Sequence, residues 1–79
     1  MKYSICYCYD NGKWVLDIES FRNLFDRLQE LACNRHIRHI GYSEIIETDF
    51  GSFISENIIM VKGSMHEIRA CVKQLKEGN

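Results

Sequence analysis

Residues 2–19 read KYSICYCYDNGKWVLDIE, and the way this stretch folds back on itself sets the architecture. Tyr3, Ile5, Tyr7 and Tyr9 alternate with Ser4, Cys6 and Cys8, the period of two that belongs to a strand, and aromatic and β-branched side chains favour that conformation. The pair Asn11-Gly12 suits a tight type I′ turn. Beyond it, KWVLDIE puts Trp14, Leu16 and Ile18 on one side and Val15, Asp17 and Glu19 on the other. The stretch predicts a β-hairpin.

Working outward, Ser20 is placed to cap a helix whose apolar positions Phe21, Leu24, Phe25, Leu28, Leu31 and Ala32 repeat at three and four, with Arg22, Asp26, Arg27 and Glu30 on the wet side. That helix is expected to end near Asn34. HIRHIGYSEIIE then reads as extended, TDFGS at 48–52 as a turn, and FISENIIMVK at 53–62 as a returning strand ended by Gly63. Ser64 and Glu67 have the spacing of a capping box for a last helix, with Met65, Ile68, Cys71, Val72 and Leu75 as its buried stripe and Gly78 as its stop. The predicted order is ββαββα. An α+β domain with a four-stranded antiparallel sheet and both helices packed on one face is the economical way to bury these stripes. Leu24, Leu28, Ile68, Val72 and Leu75 are then expected to pack on Leu16, Ile18 and the apolar side of residues 53–62. An unpaired edge or open face on so short a chain favours pairing with a second copy.

Residues 1–79 make one compact domain with a small core and little room for an internal cofactor, and none is expected. The chain is 46% hydrophobic and 27% charged without a proline, a folded composition. It has no apolar run long enough to span a membrane, and MKYSICYCYD lacks the basic-then-apolar pattern of a signal peptide, so a cytoplasmic location is expected. The four cysteines are expected to be reduced and mostly buried, since Cys6 and Cys8 are poorly placed to bridge each other and C-x-C is a poor zinc knuckle.

Chemistry-bearing residues concentrate in CNRHIRH at 33–39. A zinc site would take Cys33 and His36 with a third or fourth ligand from Cys6, Cys8, Cys71 or His66, and no spacing announces one. The better-supported reading is a helix end running into a strand, with Arg35 and His36 near the negative end of the helix dipole. Arg22, Arg27, Arg35 and Arg38 form an anion patch only if folding gathers them; Arg69, Lys73 and Lys76 add a basic stripe on the last helix. Residues 40–61 carry Glu44, Glu47, Asp49 and Glu56 with no Lys or Arg, a local charge of −4 in a chain of net −1. Such a balance argues against a protein that mainly grips phosphate backbone. Tyr3, Tyr7 and Tyr9 are core if they face the helices and an adhesive patch if they face away. No phosphate-binding glycine loop, H-E-x-x-H or G-x-S-x-G is present, and neighbouring His66 and Glu67 do not face each other on a helix, so catalysis is not expected.

The charge asymmetry is the most functional feature of the sequence. It points to a small non-catalytic interaction or regulatory module, an inhibitor that occupies a partner protein's surface being one form. The expected surface is Tyr3, Tyr7, Tyr9, Arg35, Arg38, His39, Glu44, Glu47, Asp49 and Glu56. The alternative is nucleic-acid binding through Arg35, Arg38, Arg69, Lys73 and Lys76.

Overall fold

The computed structural model describes residues 1–77, with side chains described as far as Gln74. The elements run β1 (Lys2–Tyr9), β2 (Trp14–Ser20), α1 (Phe21–Ala32), β3 (Ile37–Thr48), β4 (Gly51–Ile54), β5 (Ile59–Lys62) and α2 (Met65–Glu77). The fold is α+β with an antiparallel sheet, in order β2-β1-β3-β4 with β5 also on β3, and the chain order expected from the sequence holds. Among the described residues no helix is long and apolar enough to cross a membrane.

β1 and β2 form the predicted hairpin, pairing Cys8 with Trp14 and Lys2 with Ser20. Its turn differs from the type I′ expectation. Tyr9 N–H donates to the Lys13 carbonyl and Gly12 N–H to the Tyr9 carbonyl, which leaves a three-residue loop with Gly12 at φ 87° and no positive φ at Asn11. The Asn11 side chain accepts the Lys13 N–H at 2.9 Å, and that local bond favours the longer turn.

The expected return strand at 53–62 is interrupted. β4 pairs with β3 from Ile45↔Ile54 to Thr48↔Gly51, and β5 pairs through Tyr42↔Ile59 and Gly41↔Met60. Residues 55–58 lie between, where Asn57 N–H bonds the Ser55 hydroxyl and Ile58 N–H the Glu56 carbonyl. The break turns Ile58 inward to pack beneath α2.

The two helices lie on opposite faces of the sheet, not on one as expected. Leu24, Leu28 and Leu31 of α1 pack on Ile5, Tyr7, Ile37 and Ile40, while Ile68, Cys71 and Val72 of α2 pack on Cys6 with Trp14 and Ile58 at the margin. Ile5 and Cys6 are neighbours on one strand, so their clusters are on opposite sides. β1 is central and apolar on both faces, and every residue from Ser4 to Cys8 is buried. Gly41 makes the second layer fit, since a Cβ there would stand 2.7 Å from the Ile68 side chain.

This arrangement also revises the expected core. Leu16 and Ile18 share the α2 face but lie on the edge strand beyond the reach of α2, and they are 38% and 60% exposed. On the other face Asp17 is half-buried under α1, where its carboxylate accepts from the Tyr7 hydroxyl at 2.9 Å and from Arg27 at 3.2 Å. Phe21 and Phe25 fall at the margin of the α1 stripe and stay more than half exposed. From 53–62, Ile58 alone turns into the core, while Phe53, Ile59, Met60 and Val61 are exposed. The expected packing of Leu75 and the stop at Gly78 lie outside the described residues.

The cap predicted for α1 does not form through its side chain, and the capping box predicted for α2 is not closed through the Ser64 N–H. Ser20 occupies the N-cap position of α1 without a side-chain cap bond, and the Phe21 N–H donates to the Met1 carbonyl. Before α2 the Ser64 N–H donates to the His39 ring at 3.0 Å, so it is not the target of Glu67 that a capping box requires.

Candidate functional site

The CNRHIRH stretch resolves into a helix end, a turn and a strand. Cys33 is the exposed C-cap of α1, and the Asn34 side chain accepts the His36 N–H at 2.9 Å. His36 leans on Asp10 at 3.1 Å, both well exposed, while the Asp10 N–H donates to the His36 carbonyl. Ile37 and Ile40 enter the core, and Arg38 stays exposed. His39 stacks on Trp14 with ring centroids 6.1 Å apart and planes 11° from parallel. Its Nδ1 accepts the Ser64 N–H, which fixes the proton on Nε2 in the neutral ring. His36 and His39 therefore serve separate contacts. Among the described residues no three His, Cys, Asp or Glu side chains gather to hold a metal.

The basic residues are divided by the sheet. Arg22 and Arg27 belong to α1 on one face, and Arg69 and Lys73 to α2 on the other. Arg27 is engaged by Asp17 and Glu30, with its hydrogen bond to Asp17 chief in holding its proton more tightly than usual. Arg38 opens onto a cleft of about 460 Å³ that it shares with Trp14, His39, Asp10 and Glu67, where the two carboxylates offset it. Arg35 is exposed in the turn before β3, and Lys76 has no described side chain.

The tyrosines face α1. Tyr7 is 4% exposed in the main core, and Tyr3 and Tyr9 pack half-buried beside it. Burial first, and then the hydrogen bond to Asp17, push the Tyr7 phenol up to about 12. Tyr7 is thus core and not part of a docking surface. Tyr3 instead joins an aromatic margin with Phe21 and Tyr42, at centroid distances of 6.0 and 6.1 Å.

The acidic residues come together with something that periodicity did not reveal. β3 is twelve residues long but pairs with β1 only as far as Glu44, and β5 covers only Ile40–Tyr42. Beyond Glu44, β3 and β4 continue as a two-stranded arm, residues 45–54, in which β4 pairs with β3. Its turn is held by Thr48, whose hydroxyl donates to the Gly51 carbonyl at 3.0 Å and accepts the Phe50 N–H at 3.2 Å. Phe50 at the tip is 95% exposed. Ile46 and Phe53 stand opposite each other on the α1 side, 46% and 55% exposed, and the Ile45–Ile54 pair lies on the other side. Apolar side chains thus occur on both faces of the arm: Ile46 and Phe53 are exposed on the α1 side, and Ile45 and Ile54 are half-buried on the other.

Glu44, Glu47, Asp49 and Glu56 are all exposed along or beside this arm. Glu44 and Glu47 project to opposite faces, Asp49 is in the turn, and Glu56 borders an open depression of about 680 Å³ with Ile46 and Phe53. His39 lies apart from this surface, against Trp14. Sequence reasoning identified the acids and missed Ile46, Phe50 and Phe53; the available signal was Phe50 inside a predicted turn, where a large apolar side chain has no core to enter. No protein-family model, curated protein or solved structure matches the chain.

Proposed function

We propose that the protein is a small non-catalytic interaction module of the cytoplasm that acts by lodging its hairpin arm in an apolar, basic-rimmed groove of a partner protein, as an inhibitor occupying that surface would. The observation that carries this reading is the exposure of Phe50 at the tip of an arm with apolar side chains on both faces. A one-sided apolar hairpin would pack flat on a surface. A two-sided one is satisfied by a groove that closes around it, with the aromatic tip as its anchor. Four acids around the arm, with no Lys or Arg between residues 40 and 61, select a positive rim and disfavour nucleic acid. The cytoplasmic placement is supported by four cysteines that all stand as free thiols, a state suited to a reducing compartment.

Affinity capture from a nuclease-treated lysate, across a salt series, tests the proposal. The full chain should retain a discrete protein, and Glu44→Lys with Glu47→Lys should weaken capture at low salt by about tenfold or more. Retention of bare RNA or DNA, falling steeply with salt and abolished by Arg38→Glu and Arg69→Glu, would instead establish the nucleic-acid reading.

A further inference from the structure

The two edges of the sheet differ in how they are protected. The β4/β5 edge is cut into two four-residue pieces by the break at 55–58, an irregularity of the kind that blunts an edge. The β2 edge is a regular seven-residue strand, in unbroken register with β1 and, among the described residues, without a strand on its outer side. The Lys13 carbonyl accepts the Tyr9 N–H at 2.9 Å, so Lys13 is turned toward β1. Alternation then turns the N–H and C=O groups of Trp14, Leu16 and Ile18 outward.

We propose that β2 pairs antiparallel with β2 of a second copy, about a two-fold axis at Leu16. In this register Leu16 exchanges both backbone bonds with Leu16 of the second copy, and Trp14 exchanges them with Ile18. On the α2 face Leu16, 38% exposed in the single chain, then covers Leu16 of the second copy, and Ile18, 60% exposed, covers its Trp14. On the α1 face Lys13 stands across from Glu19 of the second copy, twice by symmetry. Neither residue makes an ion pair in its own chain among the described residues. Val15 meets Asp17, whose carboxylate is already held by Tyr7 and Arg27. An axis at Asp17 would set that carboxylate against its own copy, and an axis at Val15 would run Ile18 and Glu19 past the end of the facing strand into its turn. Charge and strand length together select Leu16.

Sedimentation equilibrium on the full chain tests this surface apart from the arm. The wild type should be a reversible dimer, and Leu16→Lys, which places two ammonium groups at the axis, should be monomeric with an unchanged circular dichroism spectrum. Lys13→Glu should raise the dimer dissociation constant roughly tenfold, since two symmetric contacts change sign, and Lys13→Glu with Glu19→Lys should recover it to within about threefold. Phe50→Ser should leave the dimer intact. A wild type that is monomeric at every attainable concentration, a dimer indifferent to Leu16→Lys, or a double variant no tighter than Lys13→Glu alone overturns the proposal.

Discussion

Leu28 is 5% exposed and shares its cluster with Ile5, Tyr7 and Ile40. Leu28→Ala removes buried methyl groups and leaves a cavity, a loss of roughly 2–5 kcal/mol that a domain of this size can barely sustain. Urea unfolding should show it, and wild-type stability would mean that α1 does not bury this stripe. Tyr7 gives a second prediction at the same scale. Its phenol is raised from 10.0 to about 12, so the folded state holds the proton more tightly than the unfolded chain. The resulting stabilisation is complete below about pH 10 and is lost as the pH rises toward 12. Burial raises Cys71 from 9.0 to about 11, which adds loss over an overlapping window. Thermal midpoints across this range should fall less steeply for Tyr7→Phe than for the wild type, and equal slopes would contradict the assignment. The period of two placed the tyrosines together, but it could not say which face α1 would cover. Ser64 was unreadable for another reason: its N–H finds His39, twenty-five residues away in sequence, and so is not held by Glu67.

At the scale of elements, the first hairpin and both helices were legible because each carries its own period over many residues. The break at 55–58 was not, since SENI supports continued pairing or a kink, and the choice is made by the space for Ile58 beneath α2. The turn at 10–13 followed the Asn11 side-chain bond over the stronger dipeptide signal. The arm follows from a mismatch of strand lengths, twelve residues in β3 against eight in β1, which only pairing makes visible. Because Phe50 is 95% exposed, Phe50→Ser should change unfolding stability by no more than about 0.5 kcal/mol. A large loss in thermal or urea unfolding would show that the tip serves the fold.

Over the whole molecule, the sequence stretch SICYC already contained the two-faced burial of β1, with isoleucine and tyrosine on one side and small apolar cysteines on the other. Pairing the helices on one face set that second apolar side aside. With α1 and α2 on opposite faces, the basic residues of the two helices are separated, whereas the four acids lie along or beside one projecting arm with exposed Ile46, Phe50 and Phe53. Ile18 of the β2 edge lines an open depression with Ile45 and Ile54 of the arm, so the two surfaces adjoin, and a dimer would present two arms. The central claim, that the arm enters a protein groove tip first, is tested most directly by placing a photo-crosslinking benzoylphenylalanine at position 50 and irradiating cells. A discrete protein adduct should form that resists nuclease, disappears with Ile46→Ser and Phe53→Ser, and is absent when the same group replaces exposed Gln74 on α2. An adduct to nucleic acid, or equal adducts from positions 50 and 74, would contradict the account.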